Sequence, residues 1–299
     1  MMMLRKRQKT EANLPERATL FSPEAMSRAW QSVRHNGPTP GVDGVTFRQF
    51  AQRLDRNLED LRRELETGVY EPLPVKRILI PKTDGGLRPL AIWALRDRIA
   101  QRVVHDALVP LLEPLFLDCS YGFRPGRAVA DAARVITAAR DAGYRWVVDA
   151  DIEDCFGSLD YRQMMAQVRA HVHEDVLVTL VDKWLNARVQ NPASGRPTKA
   201  ATSQGGVITP VLANLYLHPF DVEITRRVRD GRLVRFADDF VILCRKRQEA
   251  ATALEVAEHV LRRLRLQLNP RKTRLVHFDE GFSYLGVFFL RNEQFALNR

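Results

Sequence analysis

The stretch Leu233-Val234-Arg235-Phe236-Ala237-Asp238-Asp239-Phe240-Val241-Ile242-Leu243-Cys244 places an Ala-Asp-Asp corner between two apolar runs. Two runs rich in valine, phenylalanine, isoleucine and leucine around a short polar segment predict a β-hairpin. The corner sets two adjacent carboxylates among apolar residues, where anions repel each other and lose hydration unless a cation is close. Hard carboxylate oxygens suit Mg²⁺. The alternative is a solvated turn, because aspartate is a common turn residue.

A second apolar run also ends in acids, and it favours the metal site over the solvated turn. This run is Trp146-Val147-Val148-Asp149-Ala150-Asp151-Ile152-Glu153-Asp154-Cys155-Phe156. If both strands share one sheet, Asp151 and Asp238 meet at its edge and can hold two metal ions. Two metals about 3.5–4 Å apart stabilise the attacking and leaving oxygens of phosphoryl transfer.

Composition points to a globular protein with a polyanionic partner. The 299 residues are 45% hydrophobic and 27% charged, which is typical of a folded chain and long enough for one large domain or two subdomains. The formal charge of +10 and a pI near 9.9 favour nucleic acid as the partner. No apolar run reaches the 18 residues that would span a membrane.

Two segments carry cations suited to phosphates. A predicted hairpin puts Lys82 and Arg88 on its two arms, and a point charge beside a bidentate fork suits a triphosphate. The loop Tyr121-Gly122-Phe123-Arg124-Pro125-Gly126-Arg127 alternates aromatics with cations, so it can stack on bases and clamp phosphates. The alternatives are two solvated charges in the hairpin, and packing aromatics with surface arginines in the loop.

Apolar spacing predicts the helices. Ser22 caps a first helix, residues 46–66 are expected to form a second helix, and residues 161–185 are expected to be helical. The segment Ser203-Gln204-Gly205-Gly206 opens another, and its paired glycines let the backbone approach another segment or a ligand closely.

An ordered series of motifs resembles the reverse transcriptases of bacterial group II introns and their relatives, over roughly residues 37–290. The ordered series is more specific than any single motif. Its members are Ile80-Pro81-Lys82, Leu87-Arg88-Pro89-Leu90, Asp97-Arg98, Ser120-Tyr121-Gly122-Phe123-Arg124-Pro125, Asp151-Ile152 to Phe156, Gln204-Gly205 to Thr209-Pro210, Asn214-Leu215-Tyr216-Leu217, Phe236-Ala237-Asp238-Asp239, Asn269, Lys272-Thr273 and Tyr284-Leu285-Gly286.

The resemblance implies an α+β right-hand polymerase fold with fingers and an antiparallel palm sheet. Residues 1–21 are expected to be a basic tail, 22–148 the fingers with an N-terminal extension, and 149–299 the palm. Residues 186–215 are expected to contribute to the fingers–palm junction. The chain stops at Arg299, just after the palm, so the helical thumb of a full intron protein is expected to be absent.

The resemblance also implies roles for individual residues. Asp151, Asp238 and Asp239 match the catalytic carboxylates, and the Ile152 carbonyl matches a further ligand of two Mg²⁺ ions, for which Mn²⁺ can substitute. The residues matching the nucleotide site are Lys82, Arg88, Phe156, Gln204, Gly205 and Lys272, with Phe156 as the aromatic that excludes a 2′-hydroxyl. The residues expected at the nucleic acid are Arg124, Arg127, Asn214, Tyr284 and Gly286, with Tyr284 and Gly286 in the primer grip. Asp149 and Asp154 lie close enough to Asp151 in the sequence to be confused with it as the ligand.

The function implied is that of a reverse transcriptase acting in the cytoplasm on an RNA template, a DNA or RNA primer and dNTPs. Further partners to expect are a thumb or maturase segment, or a CRISPR adaptation protein. One alternative is an RNA-binding maturase that keeps the palm as a scaffold. Such a protein would not require the three carboxylates, so other residues could replace them. Another is a metal nuclease, which would not need Lys82, Arg88 or an aromatic sugar gate.

Overall fold

A computed structural model describes residues 17–35, 39–81, 86–190, 198–199, 205–291 and 293–296. The helices in these ranges are α1 (Arg17–Leu20), α2 (Pro23–Val33), α3 (Phe47–Ala51), α4 (Leu54–Thr67), α5 (Leu95–Leu112), α6 (Val129–Asp141), α7 (Cys155–Ser158), α8 (Tyr161–His171), α9 (Asp175–Leu185), α10 (Thr209–Arg227) and α11 (Arg247–Arg263). A 3₁₀ turn over Glu113–Leu115 follows α5. No helix in the described part of the chain is both long and apolar enough to cross a membrane.

The strands form three sheets. They are β1 (Val75–Pro81), β2 (Leu87–Ile92), β3 (Trp146–Asp151), β4 (Arg188–Gln190), β5 (Thr198–Lys199), β6 (Arg232–Phe236), β7 (Asp239–Cys244), β8 (Arg274–His277), β9 (Phe282–Tyr284), β10 (Val287–Phe289) and β11 (Gln294–Ala296). The central sheet has the order β6-β7-β3-β8, and every neighbouring pair in it is antiparallel. The other sheets have the orders β2-β1-β4-β5, with β1 parallel to β4, and β11-β10-β9.

The central sheet is buried on both faces, which explains the nearly unbroken apolar runs of its strands. Alternate side chains enter different cores, because successive side chains of a strand point to opposite faces. In β7, Phe240 and Ile242 enter the larger core, which includes α10 and α11. Val241 and Leu243 enter a second core with residues of α6, β9 and β10. The sheet is therefore a rigid layer whose strand ends carry the site.

Two of the predicted helical segments are each divided in the structure. Residues 46–66 form α3 and α4, with a break at Arg53 (φ −135°, ψ 44°), where Asn57 Nδ2 donates to the Phe50 carbonyl at 2.8 Å. Residues 161–185 form α8 and α9, separated at Val172 (φ −117°, ψ 111°). The prediction of a single helix over residues 46–66 was wrong, because the apolar spacing of a helix continues across a short break in the backbone.

Candidate active site

The site is built where β3 and β7 end. Asp151, the last residue of β3, pairs in register with Asp239, the first residue of β7, and Asp238 lies in the two-residue turn before it. Ala237 opens this turn with φ 59°, in the positive region that two-residue hairpins of this kind require. The predicted hairpin is thus confirmed, and cross-strand pairing brings the carboxylates of two strands to one sheet edge.

These carboxylates lie close enough to disfavour one another's charge. Burial, followed by the charges of Asp238 and Asp151, raises the pKa of Asp239 to about 7. Burial is also the main cause that raises the pKa of Asp238. Lys272 supplies the nearest opposite charge, with Nζ 3.0 Å from Asp151 Oδ2, and this hydrogen bond raises the pKa of Lys272.

Asn269 positions both Asp151 and Lys272. Its amide nitrogen donates to the Asp151 carbonyl at 2.8 Å, and its Nδ2 lies 3.2 Å from Asp151 Oδ2. Its carbonyl accepts from the Lys272 amide at 3.1 Å, which closes the turn that returns the lysine to the carboxylate. In the sequence, only membership of the motif series points to Asn269.

The neighbouring acids are separated from the site by different means. Asp149 pairs in register with Arg274 of β8, and the guanidinium donates to its carboxylate at 2.8 and 2.9 Å. Burial raises the pKa of Asp149, and the bond to Arg274 opposes this shift. Asp154 is exposed and precedes α7 with φ 41°. Asp151 is therefore the acid of this run that faces Asp239 across the sheet.

The donor set suits a hard divalent cation in chemistry. Three carboxylates repel one another at one edge, and the Ile152 carbonyl follows Asp151 directly in the chain. Oxygen ligands of this kind are those that Mg²⁺ takes. In the described ranges, no three His, Cys, Asp or Glu side chains are already gathered to hold a metal ion. The three carboxylates are thus suitable ligands for Mg²⁺, and the positive charge that lies beside them in this structure is the Lys272 ammonium group.

A fully buried arginine supports the catalytic turn from behind. Arg235 of β6 donates to both Asp221 carboxylate oxygens at 2.6 and 2.7 Å, to Ser120 Oγ at 2.9 Å and to Asn214 Oδ1 at 3.0 Å. It also donates to the Ala237 carbonyl at 2.8 Å, which ties the positive-φ residue of the turn to the network. We call these five residues the Arg235 hub. The sequence did not reveal the hub, although a charged residue inside an apolar strand is itself a signal of a buried pair.

The loop after the 3₁₀ turn lies directly against the hairpin. The Tyr121 amide donates to the Arg235 carbonyl at 2.8 Å, and the Arg235 amide donates to the Cys119 carbonyl at 2.7 Å. A Cβ at Gly122 would lie only 2.4 Å from the Ala237 nitrogen, so this contact requires glycine. The predicted nucleic-acid loop is thus part of the wall of the site.

Besides Lys272, the structure describes three of the residues predicted at the nucleotide. Lys82 and Gln204 fall outside the described residues. Arg88 is exposed on β2, opposite Ile80. Gly205 (φ 121°) lies against β2, where a Cβ would come within 2.3 Å of the Ala91 carbonyl oxygen, so its close approach is to its own chain. Phe156 is half-buried in α7 and packs against the larger core.

Three of the residues predicted at the nucleic acid have buried side chains with structural partners. Arg124 donates to Glu113 and to three backbone carbonyls, Asn214 Nδ2 donates to the Gly122 carbonyl at 2.8 Å, and the Tyr284 hydroxyl lies 3.1 Å from the Asp239 carbonyl. Arg127 is half-buried and donates to Asp118, and Gly286 (φ 76°) lies in the turn after β9. Their contacts with nucleic acid stay predictions, and the contacts seen here support the catalytic turn and its walls.

An antiparallel sheet that gathers carboxylates from two strand ends, with helices on both sides of it, defines a nucleotidyltransferase palm as the class of site. The chain belongs to the reverse transcriptase family, because residues 80–289 match the family model described as reverse transcriptase (RNA-dependent DNA polymerase). The resemblance and the enzyme class predicted from the sequence are confirmed.

Curated relatives support the same family. Protein YkfC of Escherichia coli K12 is 35% identical over 85% of this chain and 76% of its own length. The group II intron-encoded protein LtrA of Lactococcus lactis subsp. cremoris is 31% identical over 68% of this chain, which spans only 34% of that protein.

Solved telomerase structures share the fold. Apo telomerase from Candida tropicalis, truncated from its C-terminal domain, aligns with a TM-score of 0.57 at 12% identity over 75% of this chain and 55% of that one. Telomerase from Candida albicans, in complex with a telomeric RNA fragment, aligns with a TM-score of 0.56 at 12% identity, over 83% of this chain and 49% of that one. This chain spans about half the length of these telomerases. The likeness confirms a mixed helix and sheet architecture of the right-hand polymerase type.

Proposed function

We propose that this chain copies an RNA template by extending a primer 3′-hydroxyl with deoxynucleoside triphosphates. The observation that carries the proposal is the register of β3 and β7, which brings Asp151 opposite Asp239 beside the Asp238 turn. Membership of the reverse transcriptase family supports the same reaction.

The carboxylates of Asp151, Asp238 and Asp239 and the Ile152 carbonyl would hold two Mg²⁺ ions. When bound, these ions neutralise the phosphates and increase the acidity of the attacking hydroxyl. The protein's own part is to hold these oxygens still, since nucleotidyl transfer depends on positioning and electrostatic stabilisation. Lys272, already beside Asp151, is placed to move its charge to the triphosphate when cations bind the carboxylates.

Other residues fit the remaining tasks. Arg88 is exposed on the β1–β2 hairpin and is free to reach a triphosphate as a bidentate donor. Phe156 lies in α7, the short helix that follows β3, and we assign it the position beneath the sugar. These two assignments come from the motif series and are supported by exposure and position.

The alternative function is that of an RNA-binding maturase module. This alternative is supported by a relative that is named as a nuclear intron maturase, from Arabidopsis thaliana, and is 23% identical to this chain. The complete carboxylate set favours polymerisation, because a scaffold would not need three acids at one sheet edge, where burial raises the pKa values of Asp238 and Asp239.

The test is primer extension by Asp238→Asn, which keeps the shape of the side chain and removes its charge. We expect extension on an RNA template to fall by roughly a hundredfold or more, as is typical when a group acting on the transition state is lost. Binding of the primer–template should stay within about twofold, since phosphate contacts elsewhere supply it. Asp154→Asn, which removes an exposed acid three residues after Asp151, is the matched control. Near wild-type extension by Asp238→Asn would refute the proposed site.

A further inference from the structure

Phe123 has an unusual position for a phenylalanine. The residue is 55% exposed, and its backbone has φ 58°. A bulky residue in the left-handed region is strained, and such strain persists where the surrounding structure holds it in place, commonly at ligand sites.

The structure holds this conformation from both sides. Before Phe123, the Gly122 carbonyl accepts from Asn214 Nδ2 of the Arg235 hub at 2.8 Å. After it, the buried Arg124 guanidinium is bound to Glu113 and to the Ser120 carbonyl at 2.8 Å. The Arg124 guanidinium thus fixes the loop, and the neighbouring Phe123 is an aromatic residue that the loop exposes to solvent.

The ring lies beside the catalytic turn. Its centroid is 6.4 Å from that of Phe236, the residue immediately before Ala237, and the two planes are inclined by 48°. Phe236 is itself only half-buried. Phe236 also packs against the second core, so the exposed Phe123 ring lies over a partly buried aromatic residue at the turn, and we call the two rings the Phe123–Phe236 platform.

The sheet order indicates which substrate passes over the platform. In the order β6-β7-β3-β8, Phe156 follows β3 and Lys272 precedes β8, so two of the residues proposed for the incoming nucleotide lie on the β3–β8 side of the palm sheet. The loop bearing Phe123 is bonded to β6, on the opposite side of the carboxylates. The strand whose 3′-hydroxyl meets the nucleotide at Asp238 must arrive from that opposite side.

We propose that the Phe123–Phe236 platform binds the primer strand next to its 3′ end, through the apolar faces of its sugars and bases. This inference rests on the proposed function, since only a polymerase brings a primer end to Asp238. Aromatic rings make such contacts with little dependence on sequence, because every nucleotide has an apolar face.

The experiment measures binding and extension separately. Affinity for a DNA primer on an RNA template is measured by fluorescence anisotropy without dNTP, and dNTP dependence is measured at saturating duplex. Phe123→Ala should weaken duplex binding by about fivefold or more, the lower end expected for loss of an aromatic contact with a nucleotide. The KM for dNTP should stay within about twofold, and Phe123→Trp should restore binding.

Phe123→Gly separates binding from folding. Glycine relieves the positive-φ strain, so the melting temperature should stay equal or rise while duplex binding falls as in Phe123→Ala. Val69→Ala, which trims a 67% exposed apolar side chain after α4, should leave both measurements unchanged.

The possible failures can be told apart. A wild-type protein that binds the duplex but never extends it would refute the proposed function, while the anisotropy series would still test the platform. Wild-type extension with unchanged duplex affinity in Phe123→Ala and Phe123→Gly would refute the platform alone. A fall in melting temperature, kcat and dNTP affinity together in Phe123→Gly would assign the ring a structural role instead.

Discussion

At the residue scale, Asp97 shows how a motif acid can serve stability instead of chemistry. It lies in the first turn of α5, is fully buried, and accepts from the Tyr70 hydroxyl at 2.6 Å and the Leu73 amide at 3.1 Å. Burial raises its pKa from 3.8 to about 6, more than these bonds and Arg96 can offset. The folded protein therefore binds this proton more tightly than the unfolded chain does.

This shift predicts a pH dependence of stability. The contribution of Asp97 is complete below about pH 4 and is lost as the pH rises through about 6, because the folded state must then hold a buried charge. Between pH 5 and 7.5, wild type should lose about 1–1.5 kcal/mol of unfolding free energy relative to Asp97→Asn. Urea unfolding at several pH values measures the difference, with Asp55→Asn on exposed α4 as a control for charge. A difference that does not vary with pH would contradict the prediction.

Phe156 gives a second prediction at this scale. If its half-buried ring excludes a 2′-hydroxyl, Phe156→Val should raise ribonucleotide incorporation relative to dNTP by roughly tenfold, the discrimination that one lost pocket contact allows. The melting temperature should change little, because valine keeps part of the packing. Single-nucleotide extension beside a melting curve makes the measurement. A stable variant with unchanged preference for dNTP would remove Phe156 from the sugar site.

At the element scale, the β6–β7 hairpin depends on the Arg235 hub. Arg235→Met would leave the Asp221 charge buried without its partner, at a cost of about 3–5 kcal/mol. The double variant Arg235→Met/Asp221→Leu should recover most of that stability, since well-packed apolar residues replace buried pairs at little cost. Primer extension should stay reduced in the single and in the double variant, because methionine at position 235 cannot donate the hydrogen bond to the Ala237 carbonyl that fixes the turn.

The control for this prediction is Arg140→Met. Arg140 is also buried, and it donates to the Leu290 and Glu293 carbonyls, away from the catalytic turn. It should lower stability without a separate loss of kcat. Denaturant unfolding and single-turnover extension measure the two effects, and wild-type turnover in the stable double variant would show that the hub only supports folding.

At the scale of the whole molecule, the charge of +10 predicts electrostatic binding of nucleic acid. Each phosphate neutralised contributes about 0.7–0.9 to the slope of log affinity against log salt. We expect this slope to have a magnitude of roughly 3 or more for a primer–template duplex. Asp238→Asn should show the same slope, because this variant is defective in the extension step and not in binding. Anisotropy titrations at several salt concentrations measure the slope, and a value near zero would show that the basic surface is not the binding surface.

The sequence by itself determined the hairpin, the strand ends that carry the carboxylates and the family. The reason is local: apolar runs with a short polar corner can pair in few ways, and a strand that ends in an acid places it at a sheet edge. It also determined the N-cap of α2, where Ser22 Oγ accepts from the Ala25 amide at 3.2 Å. Each of these features depends on neighbours within a few residues.

Only the tertiary structure decided which partners the polar side chains receive within the protein. Arg124, Asn214 and Tyr284 read in the sequence as contacts for nucleic acid, but their donors are bound to carbonyls and carboxylates brought from other segments. The divided helices and the Arg235 hub were hidden for the same reason, as Arg235 meets Ser120 across 115 residues of chain. The type of a side chain limits which groups it can bond to. Its actual partner is decided only when distant segments of the chain pack together.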